Sequence, residues 1–242
     1  MNIAIILAGG VGARLGAGIP KQFIEVLGKP VIVYTIEKFN SHPGIDAIEV
    51  VCVENYIDTL QSLVKKHHLN KVKYVVKGGA DFQHSVINGV NGLRKIANDE
   101  DIVLIHWAAS PFINHEEITD AIRVCKEKGN CIAAFPAYLL YGFKSEKGES
   151  SQKLLDRDSF MVMNAPQCFK YGYVKQLYEE AEQTGMLDKV EPHTTTLMFA
   201  MGREIFFSRG SQNSIKITTK EDVDLFLGYL LAQEYVREHS DQ

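Results

Sequence analysis

The sequence predicts a three-layer α/β fold built around a mostly parallel, twisted sheet. Strand-like and helix-like segments alternate along all 242 residues, without internal repeats or low-complexity linkers, as they do in chains of parallel βαβ units. The first strand-like run, Ile3 to Leu7, is continuously apolar, which is typical of a strand buried on both faces. A hydrophobic content of 45% supplies material for one sizeable core, so we predict a single domain over residues 1–242.

The periodicity of apolar residues predicts the remaining elements in order. Helices are expected at residues 31–39, 56–67, 116–128, 171–182 and 223–236, and strands at residues 47–53, 73–77, 102–106 and 131–135. Thr219 to Asp222 resemble a capping box before the last helix, whose apolar stripe is expected to close the domain. Ile215 to Ile217 are interpreted as a strand in which Lys216 faces away from its two apolar neighbours.

The composition disfavours several classes of partner and location. A formal net charge of −4 gives no general attraction to nucleic acid or to an anionic membrane. The apolar start is short and turns into glycines, which argues against a signal peptide or a membrane span. The four cysteines show no Cys-x-x-Cys spacing, and we expect buried thiols in a reducing cytoplasm.

The glycine-rich stretch that follows the first strand predicts a triphosphate cradle. Gly9, Gly10 and Gly12 remove the side chains that would keep an anion away from backbone N–H donors. Arg14 and Lys21 add positive charge, which stabilises the negative charge that accumulates when pyrophosphate is displaced.

Two commoner glycine loops fit this stretch poorly. A P-loop requires Gly-Lys-Ser or Gly-Lys-Thr, whereas Lys21 follows Pro20 and precedes Gln22. The dinucleotide fingerprint requires a third glycine where Leu15 stands. A tight turn that serves packing alone remains the structural alternative.

These residues resemble the opening of a known family, the 2-C-methyl-D-erythritol 4-phosphate and ribitol 5-phosphate cytidylyltransferases. That family has a Leu-Ala-Gly-Gly-like loop, an Arg and then Pro-Lys-Gln-Phe, which match Leu7 to Gly10, Arg14 and Pro20 to Phe23. The resemblance spans nearly the whole chain and implies a Rossmann-like nucleotidyltransferase fold with a protruding β-arm. It implies CTP and a phosphorylated polyol as substrates, and Mg²⁺ bound mainly through the CTP phosphates.

The resemblance also assigns roles on the nucleotide side of the site. Arg14 and Lys21 are expected to be catalytic, by stabilising the attacked phosphorus and the leaving pyrophosphate. CTP is expected to contact Leu7, Ala8, Gly9, Gly10, Gly12, Gly78, Gly79 and Ser85. The family's usual Arg in the second glycine segment is Phe82 here. From the residues alone, Ser85 also fits an ordinary first-turn position of a helix.

The acceptor side departs from the family at two charged positions. The family's His-Asp-Ala-Ala-Arg-Pro is His106 to Pro111 here, with Trp107 for the Asp and Ser110 for the Arg. The resemblance implies acceptor contacts at Arg157, Lys216, Trp107, Ser110 and Thr194. Three interpretations stay open: other groups hold the metal and the acceptor, the acceptor differs, or activity is lost. No metal-ligating side chain is predicted, and His106 is expected to support the strand end by a hydrogen bond.

An arm is predicted at about residues 137–163. Tyr138 to Phe143 is rich in large apolar side chains, which suits an intersubunit contact better than the alternative, a solvated loop. The resemblance implies a homodimer in which Arg157 reaches the site of the other copy.

The predicted activity is therefore CTP-dependent cytidylyl transfer to a sugar-alcohol phosphate, such as 2-C-methyl-D-erythritol 4-phosphate, ribitol 5-phosphate or a related polyol phosphate. In the family, the CDP-alcohol product serves isoprenoid synthesis or a cell-wall or capsule precursor. The alternative is a non-catalytic nucleotide-binding or scaffold protein that kept the cradle and lost turnover.

Overall fold

The computed structural model describes residues 1–10 and 18–239. Its strands are β1 (Asn2–Ala8), β2 (Glu25–Val26), β3 (Lys29–Pro30), β4 (Ala47–Cys52), β5 (Val72–Lys77), β6 (Ile102–Trp107), β7 (Asn130–Pro136), β8 (Met161–Lys170) and β9 (Phe207–Arg209). Its helices are α1 (Val31–Ser41), α2 (Ile57–Lys66), α3 (Phe82–Gly92), α4 (His115–Lys128), α5 (Tyr171–Thr184), α6 (Thr194–Ala200) and α7 (Lys220–His239). Each predicted helix and strand of the alternating pattern is confirmed, with ends shifted by a few residues.

Seven strands form one sheet in the order β5-β4-β1-β6-β8-β7-β9, and β2 and β3 form a separate hairpin. The pairs β5–β4, β4–β1, β1–β6 and β7–β9 are parallel, whereas β8 is antiparallel to both of its neighbours. Along the chain, β1 leads to β4 and β5 on one side, and β6 then starts the other side. The direction in which successive strands are added to the sheet therefore reverses between the parallel neighbours β1 and β6. At such a point α/β sheets bind ligands, outside the carboxyl ends of the strands.

Helices cover both faces of this sheet and bury the predicted core. One apolar cluster joins the sheet to α1, α2 and α4, and a second joins it to α3, α5 and α6. Ile3 to Ile6 are fully buried, which confirms that β1 is a central strand covered on both sides. Among the described residues, no helix has the length and apolar character that a bilayer crossing requires.

A carboxyl group lies inside this core without a hydrogen-bond partner among the described residues. Glu49 of β4 is completely buried and neither of its carboxyl oxygens is bonded. It fits beneath α3 because two glycines leave room: a Cβ at Gly89 would lie 3.2 Å from Glu49 Oε2, and one at Gly92 would collide with Oε1. Burial raises the pKa of Glu49 to about 8, so the native core holds a neutral acid over most of the neutral range.

The last helix differs from its prediction. Thr219 does cap it, since its Oγ1 accepts from the Asp222 N–H and the Asp222 carboxylate accepts from the N–H groups of Thr218 and Thr219. Of its twenty residues, however, only Phe226 is buried, so the expected stripe does not close the domain along its length. The apolar residues of α7 lie all around its axis, and only one side meets the domain.

The predicted strand at Ile215 to Ile217 is also wrong. The segment is irregular, and no strand among the described residues pairs with it. Its Ile217 N–H donates to the Ala109 carbonyl, just beyond the end of β6, at 2.8 Å.

The arm projects as an irregular hairpin. Gly142 and Leu154 form an isolated antiparallel bridge, and Phe143 N–H donates to the Lys153 carbonyl at 2.9 Å. Leu139 and Leu140 are 69% and 71% exposed. The run is therefore an exposed apolar surface within one copy of the chain, as the sequence predicts.

Candidate active site

A pocket of about 660 Å³ opens at the carboxyl ends of β1, β4, β5 and β6. It lies at the point where the sheet changes direction. Most of the sequence-predicted nucleotide residues line it together, namely Leu7, Gly9, Gly10, Lys21, Gly78, Gly79 and Ser85, with Lys216 and Trp107 from the predicted acceptor side. Segments that are far apart in the sequence thus meet at one site. Gly12 and Arg14 lie outside the described residues.

Two glycine turns approach each other at backbone distance in this pocket. A Cβ at Gly78 would lie 3.0 Å from the Gly9 Cα, and a Cβ at Gly9 would lie 2.7 Å from Ser85 Oγ. A side chain at either glycine would push the turns apart. The close approach leaves backbone groups lining the floor of the pocket, which suits the binding of an extended anion.

Ser85 joins the second turn to the helix that follows it. Its hydroxyl accepts from the Gly79 N–H at 3.0 Å and donates to the Asp81 carbonyl at 2.8 Å. Asp81 is the N-cap of α3, and its carboxylate accepts from the His84 N–H at 2.8 Å. Ser85 lies in the first turns of α3, as the structural alternative has it, but its hydroxyl also holds the shape of the glycine turn and lines the pocket.

Gln22 is a residue whose role the sequence reasoning missed. Its side chain is buried, and its Nε2 donates to the carbonyls of Ala8 and Gly10 at 2.8 and 2.9 Å. These two carbonyls flank Gly9, so Gln22 fixes the path of the chain as it leaves β1. The Pro-Lys-Gln motif contained the signal, but its glutamine has no charge and attracted no assignment.

Lys21 lies beside the pocket, partly buried, and connects two segments. Its Nζ donates to the Ile217 carbonyl at 2.6 Å. The same short segment carries Lys216, which also lines the pocket. The structure therefore brings two of the predicted cations together, although they stand at opposite ends of the chain.

Lys216 lies against the ring of Trp107, the residue that stands where the family has an Asp. Its Nζ is 4.3 Å from the centre of the Trp107 ring, within the range of a cation–π contact. The ring attracts the ammonium without neutralising it.

A second aromatic contact involves Phe82, the residue that stands where the family has an Arg in the second glycine segment. The rings of Phe82 and His193 are 4.8 Å apart, and Phe82 lines the pocket. Burial and, secondarily, the charge of Lys216 lower the pKa of His193, so its ring is neutral at pH 7. Phe82 thus contributes an aromatic face to the pocket, and His193 packs against it. The two rings come from distant parts of the chain, so sequence patterns did not pair them.

Ser110 and Thr194 lie away from the pocket surface. Ser110 is 2% exposed, and its carbonyl is 2.9 Å from His106 Nε2. Thr194 is fully buried, and its hydroxyl is 2.8 Å from the Tyr178 hydroxyl. Their predicted contact with an acceptor stays a prediction. The expected support of the strand end by His106 is confirmed, and burial lowers the pKa of this histidine to about 4.

Arg157 lies on the arm, outside the pocket of its own chain. Its Nη1 donates to the Tyr138 carbonyl at 3.2 Å, and its side chain is about half exposed. It is therefore carried at the base of the exposed apolar run. From this position it is available to a neighbouring molecule, and its predicted acceptor contact requires one.

The carboxylates of the pocket have other partners. Asp81 caps α3, and Glu54 forms a 2.6 Å ion pair with Lys77 at the rim. Within the described ranges, no group of three or more His, Cys, Asp or Glu side chains is arranged to hold a metal ion. A Mg²⁺ bound mainly through the CTP phosphates stays a prediction.

The fold and the pocket define an α/β protein with a glycine-lined pocket that carries Lys21 and Lys216 at the carboxyl ends of its parallel strands. Comparison with known families gives the particular class: the family model of 2-C-methyl-D-erythritol 4-phosphate cytidylyltransferase (IspD) matches residues 2–237. The chain belongs to this family of nucleotidyltransferases.

The relatives include two named activities. The chain is 38% identical to a ribitol-5-phosphate cytidylyltransferase of Lacticaseibacillus paracasei, over 97% of this chain and 100% of the relative. It is 37% identical to a 2-C-methyl-D-erythritol 4-phosphate cytidylyltransferase of Clostridium acetobutylicum, over 92% and 94%. A crystal structure of a 4-diphosphocytidyl-2C-methyl-D-erythritol synthase shares the fold, with a TM-score of 0.77, 21% identity and coverage of 95% and 98%.

Trp107→Ala is expected to raise KM for the acceptor roughly 2- to 30-fold, because a cation–π contact contributes about 0.5–2 kcal/mol and the substitution removes the ring from beside Lys216. CTP affinity is expected to stay unchanged. Steady-state kinetics with varied acceptor and calorimetric titration of CTP measure the two quantities.

Trp107→Phe is the matched control, since it keeps an aromatic face and should lie between the wild type and the alanine variant. A parallel loss of CTP affinity would contradict the assignment of Trp107 to the acceptor side. A Trp107→Asp variant that by itself gains turnover of 2-C-methyl-D-erythritol 4-phosphate would show that Trp107 disables the pocket and does not re-shape it for another acceptor.

Proposed function

We propose that this protein is a CTP-dependent cytidylyltransferase that converts a sugar-alcohol phosphate to its CDP derivative and releases pyrophosphate. The single observation that carries the proposal is the pocket in which both glycine turns, Lys21 and Lys216 meet. Family membership supports the reaction type. The acceptor class follows the relatives: ribitol 5-phosphate, 2-C-methyl-D-erythritol 4-phosphate or a related polyol phosphate.

In the proposed reaction, an oxygen of the acceptor phosphate attacks the α-phosphorus of CTP in line. The new O–P bond forms as the bond between the α-phosphorus and the pyrophosphate oxygen breaks, and pyrophosphate leaves with the electron pair. The nucleophile is already an anion, so the site needs alignment and charge stabilisation more than a base. The neutral His193 and the buried His106 are consistent with this requirement.

The charged side chains have separate tasks in this scheme. Lys21 stabilises the charge on the attacked phosphorus and the leaving group, with Arg14 expected to assist it. Lys216, beside the Trp107 ring, holds the acceptor phosphate. A bound Mg²⁺ would neutralise triphosphate oxygens. The four cysteines are buried and unbridged, which supports a cytoplasmic location.

The direct test is pyrophosphate release with CTP and a panel of polyol phosphates, in the presence of Mg²⁺. We expect turnover with CTP and with at least one acceptor, and weaker binding of ATP and GTP by calorimetry. A purine preference would contradict the assignment of the second glycine turn to a pyrimidine base. CTP binding without turnover on the whole panel would favour the alternative, a nucleotide-binding scaffold, which the loss of two charged positions at Trp107 and Ser110 motivates.

The arm is proposed to build a homodimer and to complete the site. Tyr138 to Phe143 is an exposed apolar run, and Arg157 is bonded to its first carbonyl. Packing the run against a second copy removes that surface from water and carries Arg157 toward the acceptor phosphate of the other site.

Leu140→Asp is expected to weaken this dimer and raise KM for the acceptor, because Arg157 then no longer reaches the partner site. Light scattering and acceptor kinetics measure the two effects together. Lys144→Asp, which introduces the same acid in the polar part of the arm, is the control. Full activity of a monomeric Leu140→Asp variant would contradict the arrangement.

A further inference from the structure

His193 is a side chain of the candidate active site whose ring nitrogens have no hydrogen-bond partner among the described residues. It stands immediately before α6, and its ring packs 4.8 Å from the ring of Phe82, which lines the pocket. The residue is only partly buried, so these nitrogens do not carry the cost of buried unpaired groups. Packing thus holds the ring in place, and its hydrogen-bonding groups remain for a ligand.

The positive charge of Lys216 reaches this ring. Burial is the larger cause that lowers the pKa of His193, and Lys216 adds to it, whereas the exposed Glu191 acts in the opposite direction. Lys216 lines the pocket, as Phe82 does, and its Nζ lies 4.3 Å from the centre of the Trp107 ring. His193 and Lys216 therefore lie on the same side of the pocket, although neither is near the other in the sequence.

An ammonium and an imidazole on one side of a pocket suit a small anion with several acceptor oxygens. A neutral imidazole carries one N–H donor in either tautomer, and an ammonium carries three. Hydrogen bonds from such groups to a phosphate oxygen are strengthened by charge. The Lys216 ammonium disfavours a proton on His193, and an anion bound beside both would offset this effect. A phosphate group therefore fits the pair.

The acceptor phosphate of the proposed reaction lacks one donor in this chain. Ser110 stands where the family has an Arg. It is 2% exposed, and its Oγ has no partner among the described residues, so it offers the pocket no cation. The triphosphate is assigned to the glycine turns and Lys21. The phosphate beside Lys216 is therefore that of the acceptor.

We propose that the ring N–H of His193 donates to an oxygen of the acceptor phosphate that Lys216 also binds, so that an imidazole takes the place of the guanidinium absent at Ser110. The inference rests on the proposed function, because its ligand is the acceptor of that reaction. Arg binds a phosphate through a planar fork of donors, whereas His193 and Lys216 supply separate donors from two segments. The orientation of the phosphate then depends on how these two segments are placed.

Two variants separate hydrogen bonding from packing. His193→Phe keeps a ring against Phe82 but removes the N–H, and it is expected to raise KM for the acceptor about 10- to 100-fold, as for the loss of one hydrogen bond to a charged group. His193→Gln loses the ring but keeps an N–H donor, and it should retain more acceptor affinity than His193→Phe. A residue that served packing alone would give the reverse order. That order, or a parallel loss of CTP affinity, would overturn the proposal.

His115 is the matched control, since it is exposed, its ring lies 4.9 Å from the ring of His42, and it does not line the pocket. His115→Phe and His115→Gln should keep wild-type values. Calorimetric titration with ribitol 5-phosphate and 2-C-methyl-D-erythritol 4-phosphate tests the subsite without turnover. A wild type that binds a phosphate but turns over no acceptor counts against the proposed function. Equal affinity of the wild type and His193→Phe, or no binding of either phosphate by the wild type, overturns this inference.

Discussion

Lys21→Ala is expected to lower kcat about 10²- to 10³-fold, the range typical for removing one group that stabilises developing charge. Lys21 lines the pocket beside the first glycine turn. No other lysine among the described residues adjoins Gln22, so none can replace it there. The fold should persist, because the side chain is only partly buried and belongs to no apolar cluster. The rate of pyrophosphate release with saturating CTP and acceptor measures the effect.

Lys73→Ala is the control for this experiment, since Lys73 is exposed on β5 and does not line the pocket. It should retain the wild-type rate. A thermal melt of both variants separates loss of chemistry from loss of fold. A wild-type rate for Lys21→Ala would remove this lysine from the mechanism.

Glu49→Gln is expected to stabilise the protein increasingly as the pH rises from about 5 to 8. In the unfolded chain the carboxyl loses its proton near its ordinary pKa, whereas the native core keeps it protonated up to about pH 8. Between these values the unfolded state binds fewer protons, so the free energy of unfolding of the wild type falls by about 1.4 kcal/mol per pH unit from this group. Glutamine cannot ionise and removes this slope, and the gain should reach a few kcal/mol near pH 8.

Urea unfolding of both proteins at several pH values measures this difference. Glu127→Gln, at an exposed acid that pairs with Arg123 on α4, is the control and should follow the wild-type curve. Below pH 4.5 the wild type and Glu49→Gln should differ little in pH dependence, because both states of the wild type are then protonated. Parallel curves over the whole range would show that Glu49 ionises in the native protein.

The alternating fold was predictable because the central strands are predominantly apolar, and long amphipathic helices such as α4 separate them. The last helix was also predicted, but the side of it that meets the domain was not, because its apolar residues surround the axis. Ile215 to Ile217 has the alternation of a strand, but a strand also needs a partner. Pairing is a tertiary property that a short segment does not encode.

The site divides in a similar way. Its glycines were predictable, because two turns that approach each other at backbone distance leave no room for a side chain. Ser110 and Thr194 were placed by position in a motif, whereas the direction of a side chain at a turn depends on its neighbours. The contact between Phe82 and His193 joins segments with no sequence signal in common, and the role of Gln22 depends on carbonyls whose positions only the fold determines.

The neutral acid beneath α3 also bears on how this chain can evolve. Glu49, Gly89 and Gly92 occupy one space, and a methyl group on either glycine meets the carboxyl. A smaller residue at position 49 would leave a cavity. Substitutions at these three positions are therefore expected to be correlated. The link is strongest between positions 49 and 92, because the carboxyl is the nearest obstacle to a side chain at Gly92, whereas Ile5 and Val51 stand closer to one at Gly89. Among close relatives, a smaller residue at position 49 should coincide with alanine or a larger residue at position 92.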